Sequence, residues 1–139
     1  YVHYLKEETV PSTLKLTELI EMSESYRGIV FGGSGCRYLI EEYKRGTAGN
    51  MPGCHVTDVC VALWNALENG DDALAMKIYR DMAPLFFFEA QFPGAYKEVL
   101  KLRGIIGSTY SRNNSYTLDG IGDAYLRECV SLLKPYMTV

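Results

Sequence analysis

Hydrophobic and polar positions alternate in blocks over the first 70 residues, in the way that is typical of strand–helix units. Apolar runs at 1–5 and 28–32 each fit a buried strand, and each precedes a segment with a helical apolar period, to about Tyr26 and to Gly46. A weaker strand pattern at 47–53 precedes a third helix. The apolar face of that helix is formed by Val56, Val59, Cys60, Leu63 and Leu67. Successive strand–helix units predict an α/β fold with a parallel sheet, either doubly wound or an eightfold barrel.

The pattern from residue 71 onward is helical only. A cap at Asp119 and a stop at Gly104 mark two of the helix boundaries. The sequence therefore divides into strand–helix units at 1–70 and a helical segment at 71–139. The expected helices of that segment span 71–91, which contains Pro84, then 94–103 and 118–134, with a loop at 105–117.

Composition narrows the class of protein. The chain has 139 residues, 47% hydrophobic and 22% charged, which is typical of a globular domain. A net charge of -3 with mixed signs gives no basic stripe for nucleic acid, and no run is long and apolar enough to cross a membrane. The cysteines lack the spacing of a metal site or a disulfide framework, so we expect reduced thiols, no metal and a cytoplasmic location. They are Cys36, Cys54, Cys60 and Cys129.

Lys6 ends the first apolar run and is the candidate catalytic residue. An ammonium group removed from water loses hydration free energy, so neutral amine becomes available to attack a ketone carbon and form a Schiff base. A lysine at a strand end more commonly extends into solvent. Alternation along a strand places Val2, Tyr4 and Lys6 on one face. In a barrel this would point Lys6 inward at the C-terminal rim, where barrel enzymes build their sites.

The glycine-rich turn after the second strand is the second candidate feature. Gly32, Gly33 and Ser34 follow a strand and precede a helix, which favours binding of an anionic group by backbone N–H donors. A tight turn without a ligand requires glycine equally. The segment matches neither the P-loop nor the GxGxxG spacing. Asn50 and Met51 end the third strand, and the Asn50 amide both donates and accepts hydrogen bonds.

Other polar and aromatic residues have simpler interpretations. His55, at a helix start, is more commonly a cap or a surface group. The acidic pairs Glu7–Glu8 and Glu41–Glu42 are most simply solvated charges, although Glu7 or Glu8 could tune the Lys6 amine. The aromatic cluster of 86–88 with Phe92 fits a core or a subunit interface.

The order of several short motifs resembles the dihydrodipicolinate synthase / N-acetylneuraminate lyase family. The resemblance extends through nearly the whole chain. The motifs are Leu5-Lys6-Glu7, the strand end Gly32-Gly33, Gly49-Asn50-Met51-Pro52, Asn69-Gly70-Asp71 followed by Ala75 and Pro84-Leu85, and Lys97-x-x-Leu100-x-x-x-Gly104-Ile105.

This resemblance implies a (β/α)8 TIM barrel with added C-terminal helices. Residues 1–70 would be strands six to eight with their helices, and 71–139 the C-terminal helical segment. Lys6 would be the Schiff-base lysine for a 2-keto acid, and no cofactor or metal is implied. A homo-oligomer, a dimer or a tetramer, is also expected. The residues expected near the substrate are Gly32, Gly33, Ser34, Asn50 and Met51.

The chain departs from the family pattern beside the lysine. Members usually carry a small residue at the position of Tyr4 and a small or hydroxyl residue at that of Glu8. Lys6-Glu7-Glu8, Arg37 and Gly49-Asn50-Met51-Pro52 are more similar to the branch that dehydrates or cleaves 2-keto-3-deoxy sugar acids. A synthase that condenses pyruvate and a non-catalytic assembly module are the alternatives. The Thr-Thr pair and the proton-relaying tyrosine of the family's first half are absent here. We therefore expect the N-terminal half of the barrel to be a partner, removed by cleavage or lying outside this sequence.

Overall fold

The computed structural model describes residues 2–22, 29–112 and 117–139. The predicted strand positions Tyr1 and Gly28, and the end of the first helix near Tyr26, lie outside these ranges. The described elements are β1 (Leu5–Lys6), α1 (Ser12–Met22), β2 (Val30–Gly32), α2 (Leu39–Lys44), β3 (Gly49–Asn50), α3 (Thr57–Glu68), α4 (Asp72–Gln91), α5 (Ala95–Leu102) and α6 (Gly120–Leu133), with short 3₁₀ turns at Ser34–Cys36, Cys54–Val56 and Lys134–Tyr136.

The strands form a parallel sheet in the order β1-β2-β3. The predicted α/β class and parallel strand direction are thus confirmed. The described sheet has three strands, and its closure into a barrel stays a prediction. The chain groups into two compact units, one of Tyr1–Gly53 with Trp64–Ala75 and the other of Cys54–Leu63 with Met76–Val139.

The sheet belongs to the first unit, where helices α1 and α2 cover one of its faces. Helix α1 packs against β2 and α2. Leu16, Val30 and Leu39 are fully buried there, and the removal of such side chains from water is the main stabilising contribution of a core.

The prediction of a buried first strand is wrong for most of its length. Only Leu5 and Lys6 pair with β2, and the side chains of Val2 and Tyr4 are 70% and 68% exposed. The physical reason is that β1 is an edge strand of the described sheet, with a strand partner on one side there. Tyr4 still lies on the expected face, since its ring contacts that of Phe31 with 6.0 Å between centroids.

The second unit is helical, and its predicted helices are confirmed. Helix α5 is followed by Gly104 at φ +73°, a left-handed conformation that favours glycine. At the start of α6, the Asp119 carboxylate accepts the Gly122 N–H at 2.8 Å. The buried side chains that join these helices include Met82, Leu85, Val99, Leu126 and Leu133.

A buried ion pair stabilises the second unit. Both guanidinium ends of Arg103 contact Asp58, with Nη2–Oδ2 at 2.5 Å and Nη1–Oδ1 at 3.0 Å. Although burial acts to raise the pKa of Asp58, hydrogen bonds from Arg103 and from the Thr138 N–H outweigh it and hold that pKa below its usual value. A bidentate pair of this kind fixes geometry as well as charge.

The interpretation of His55 as a cap or surface group is wrong. Its side chain is buried, its Nε2 hydrogen-bonds Glu89 Oε1, and its ring stacks on Tyr96 with centroids 3.9 Å apart. The reason is a partner distant in sequence, because the acid that hydrogen-bonds the imidazole Nε2 lies on α4. Of the aromatic cluster, Phe86 and Phe88 are buried, whereas Phe87 is 79% exposed.

Candidate active site

The parallel sheet brings the predicted site residues to one end of the sheet, where the strands finish. Lys6 is paired in register with Phe31, and Gly32 with Asn50, so each lies at or near the carboxyl end of its strand. The Met51 N–H donates to the Gly32 carbonyl at 3.0 Å, and the Met51 side chain is exposed. Loops that follow parallel strands meet at this end, which is where α/β proteins place their ligand sites.

The register divides these residues between the two faces of the sheet. Residues paired in register share a face and successive residues alternate, so Lys6 and Gly33 lie on one face and Gly32 and Asn50 on the other. A Cβ added to Gly33 would lie 2.5 Å from Lys6 Cε, whereas a Cβ added to Gly32 would collide with the Glu42 carboxyl group. We call these the lysine face and the helix-covered face.

Lys6 forms an ion pair on the lysine face. Its Nζ lies 3.0 Å from Glu8 Oε1, and its side chain is 37% exposed. The same Glu8 oxygen accepts the Ser34 N–H at 2.5 Å. The Ser34 hydrogen bond and then the Lys6 ammonium hold the pKa of Glu8 below its usual value. Glu8 is therefore a carboxylate at neutral pH, and its charge pairs with the Lys6 ammonium.

The glycine turn adopts a strained backbone conformation. Ser34, Gly35 and Cys36 have φ values of +53°, +65° and +72°, and only glycine adopts this region without steric cost. Ser34 and Cys36 are thus held in this region although each carries a Cβ, and such strain is concentrated at functional sites. The Ser34 N–H, a predicted anion donor, binds the Glu8 carboxylate, so ligand binding by this turn stays a prediction.

Glu42 is a site residue that the sequence interpretation missed. It was predicted to be a solvated charge together with Glu41, and this is wrong for Glu42, which is fully buried on the helix-covered face. Glu41 is exposed and pairs with Arg45 at 2.6 Å. One signal was available, because Glu42 follows Leu39 by three residues on α2 and so shares its buried side.

Three residues on the helix-covered face bond one another and the glycine turn. Asn50 Nδ2 donates to Glu42 Oε2 at 2.5 Å and to the Gly33 carbonyl at 3.3 Å, and the Cys36 thiol donates to Asn50 Oδ1 at 3.1 Å. Glu42 also accepts the Gly33 N–H. We call Glu42, Asn50 and Cys36 the reverse-face clamp. It lies behind the glycine turn as seen from Lys6.

Burial raises the pKa of Glu42 to about 7. Its Oε1 is buried and has no hydrogen-bond partner, so the charged form is poorly solvated. Hydrogen bonds from Asn50 and the Gly33 N–H act in the opposite direction, while the charges of Glu41 and Glu8 raise the pKa further. The carboxyl group therefore changes charge near neutral pH.

The part of the chain that the structure describes shows neither a metal-binding cluster nor a membrane-spanning helix. Over residues 2–22, 29–112 and 117–139, no three side chains of the metal-binding types cluster together. Across the same ranges, no helix has the length and apolarity that a bilayer span requires.

The parallel strands alternate with helices, so this chain is an α/β protein. Lys6 and the glycine-rich turn lie at the carboxyl ends of its strands. Solved structures are similar to it. A dihydrodipicolinate synthase from Rhodopseudomonas palustris shares 27% identity and a TM-score of 0.79, over 93% of this chain and 45% of that one. A dihydrodipicolinate synthase from Oceanobacillus iheyensis shares 16% identity and a TM-score of 0.77, over 94% and 46%. A 4-hydroxy-tetrahydrodipicolinate synthase from Methylacidiphilum fumariolicum shares 17% identity and a TM-score of 0.75, over 96% and 45%.

The resemblance to the dihydrodipicolinate synthase family is thereby confirmed. This chain spans about half the length of the solved structures that it matches, which is consistent with the C-terminal half of a family member. No protein-family model matches the chain, and no curated protein matches it either.

Proposed function

We propose that this chain supplies the Schiff-base lysine of a class I lyase that acts on a 2-keto acid. The observation that carries the proposal is the position of Lys6, which ends a parallel strand beside Gly33 with the Glu8 carboxylate 3.0 Å from its Nζ. The similarity to dihydrodipicolinate synthases supports it. The sheet would be strands six to eight of a (β/α)8 barrel. Residues 71–139 would be its C-terminal helices.

The reaction would begin with loss of a proton from the Lys6 ammonium to water, since the Glu8 carboxylate, whose pKa is lowered, is a weak base. The neutral amine would attack the C2 carbonyl of the 2-keto acid, and the carbinolamine formed would lose water to give a protonated imine. This imine accepts the electron pair that is released at C3. Loss of a C3 proton followed by departure of the C4 hydroxyl as water is a dehydration. Breakage of the C3–C4 bond with release of an aldehyde is an aldol cleavage.

The remaining parts of the site would come from other polypeptide segments. The first half of the barrel would supply a carboxylate-binding pair of threonines and a tyrosine that relays protons. We use "the native protein" for this chain together with the segment that supplies those strands, whether or not they form one polypeptide. It would act in the cytoplasm as a homo-oligomer, a dimer or a tetramer, with no metal or organic cofactor.

Glu8 and Tyr4 favour the branch that acts on 2-keto-3-deoxy sugar acids. Both lie on the lysine face, where Glu8 occupies space and adds negative charge next to the amine. Condensation of pyruvate with an aldehyde is the second candidate, because the similar solved structures are named as dihydrodipicolinate synthases. Incubation with a 2-keto-3-deoxy pentonate or hexonate separates the possibilities. Loss of water without pyruvate supports a dehydratase, release of pyruvate supports an aldolase, and turnover only with pyruvate plus an aldehyde supports the synthase.

Borohydride trapping tests the lyase proposal itself. The native protein is incubated with pyruvate and borohydride, which reduces an imine to a stable amine, and its intact mass is measured. A mass increase located on Lys6 supports the proposal. No adduct on Lys6 in the native protein would reject it and favour the non-catalytic assembly module.

A further inference from the structure

The peptide groups of Gly33 are held from the helix-covered face by two side chains. The Glu42 carboxyl group accepts the Gly33 N–H, and Asn50 Nδ2 donates to the Gly33 carbonyl at 3.3 Å. Asn50 and Glu42 also bond each other at 2.5 Å. A buried acid and an amide therefore fix the backbone of one residue on both sides, and a hydrogen-bonded network of this kind is rigid when its members are paired.

On its other side, Gly33 faces the Lys6 side chain. A Cβ added to Gly33 would lie 2.5 Å from Lys6 Cε and would collide with the Glu8 carboxylate, and the next residue, Ser34, donates its N–H to Glu8. A shift of the Gly33 backbone would therefore move the Lys6–Glu8 ion pair. The clamp and the amine are coupled through a single glycine.

We infer that Glu42 is a positioning residue for Lys6, which acts through Asn50 and Gly33 from the opposite face of the sheet. The inference rests on the proposed lyase function and deepens it, because it assigns a control of the same site. Glu42 lies on the face of the sheet opposite to Lys6. Its contribution is to the placement of the amine relative to the bound 2-keto acid, and placement errors of about 1 Å can lower a rate about 100-fold.

The charge of Glu42 makes this role pH-dependent. The ionisable groups that face it are Glu41 on its own helix, Glu8 from the segment after β1, and the Cys36 thiol across Asn50. Because Glu42 titrates at about 7, its carboxylate replaces the neutral acid within the working range of a lyase. The carboxylate binds the Gly33 N–H and the Asn50 amide more strongly than the neutral acid does, so the rate should rise with pH through an inflection near that value.

The test compares pH profiles of kcat and KM for a 2-keto-3-deoxy sugar acid, or for pyruvate plus an aldehyde if that is the reaction. The native protein, Glu42→Gln and Glu42→Ala are measured from about pH 5.5 to about pH 9. Glu41→Gln is the matched control, since Glu41 is the neighbouring acid and is exposed.

We expect Glu42→Gln to lower kcat by about 10-fold to about 100-fold with little change in KM, and to remove the inflection near pH 7. Glu42→Ala should lower kcat at least as far, and Glu41→Gln should keep both kcat and the inflection. A Glu42→Gln profile that retains the inflection would overturn the inference. So would a Glu41→Gln variant that loses it.

A second measurement separates this inference from the function on which it rests. In NMR spectra of the native protein, the side-chain amide signals of Asn50 should titrate near pH 7 and should stop doing so in Glu42→Gln. If that titration is observed but no Lys6 adduct forms, the clamp exists and the lyase function, with the positioning role, is rejected. If the adduct forms and the amide signals do not titrate, the lyase stands and the clamp is rejected.

Discussion

Gly33 packs directly against the Lys6 side chain, and there is no room for a methyl group between them. An added Cβ would lie 2.5 Å from Lys6 Cε and would also collide with Glu8. Contacts below 3 Å of this kind require a neighbour to shift. Gly33 lacks a side chain, and this allows the Lys6 side chain to lie against the turn.

We predict that Gly33→Ala displaces Lys6 while leaving the fold intact. The atoms in its way belong to the ends of two flexible side chains, so the free energy of unfolding should fall by less than about 1 kcal/mol. Imine trapping with pyruvate and borohydride should slow by about 10-fold or more. Both are measured on the native protein.

Gly107→Ala is the matched control for that substitution. Its added methyl group would meet no atom within 4 Å, so both stability and trapping should stay at the wild-type level. A Gly33→Ala variant that traps pyruvate as fast as Gly107→Ala would contradict the coupling between the turn and the lysine.

Glu42 should make stability fall as pH rises. Burial raises its pKa from 4.5 to about 7, so the folded protein binds more protons than the unfolded chain between these values. The stabilising effect of the neutral form is fully present below pH 4.5 and is lost as pH rises through about 7. Relative to the wild type, Glu42→Gln should therefore gain stability by roughly 3 kcal/mol between about pH 4.5 and about pH 8.

Urea unfolding at several pH values measures this difference. Glu41→Gln is again the control, because its carboxyl is exposed and paired with Arg45; its stability should differ from the wild type by less than about 1 kcal/mol throughout. A constant difference between Glu42→Gln and wild type across the whole range would mean that Glu42 is ionised in the folded protein at all these pH values.

The Arg103–Asp58 pair gives a prediction for the second unit. The two side chains are only 4% and 14% exposed, so Arg103→Met leaves a buried carboxylate without its cation and should cost about 3 kcal/mol or more. Arg127→Met is the comparison, since Arg127 forms an exposed pair with Asp123 at 2.8 Å, and its loss should lower stability far less than that of Arg103. If thermal or urea unfolding shows the same loss of stability for both variants, burial does not strengthen the Arg103–Asp58 pair.

Features that depend on local periodicity could be predicted from the sequence. The helices that end shortly before Gly70 and Gly104 and the helix capped by Asp119 follow directly from apolar spacing and cap chemistry. Parallel pairing also follows, because strand–helix–strand order leaves little choice of direction. The convergence of Lys6 with Gly33 at one end of the sheet is a consequence of that order.

Features that depend on partners distant in the sequence could not be predicted. His55 is buried beside Glu89, 34 residues away, which hydrogen-bonds its Nε2, and nothing in the residues around His55 indicates this. Glu42 is buried where Asn50 and the Gly33 N–H donate hydrogen bonds to its carboxyl group. The assignment of Asn50 to the helix-covered face likewise required the strand register, since a shift of one residue would have turned it toward Lys6.

The most direct test of the central claim is the position of the borohydride-trapped adduct. The native protein is incubated with pyruvate and borohydride, digested, and mapped by mass spectrometry, alongside Lys6→Arg and Lys15→Met. Lys15 is the matched control lysine, because it also forms an exposed ion pair with a glutamate, at 2.7 Å from Glu18. We predict one adduct, on Lys6, that Lys6→Arg abolishes and Lys15→Met leaves unchanged. A native protein that carries no adduct on Lys6, or carries equal amounts on both lysines, would contradict the assignment of Lys6 as the Schiff-base residue.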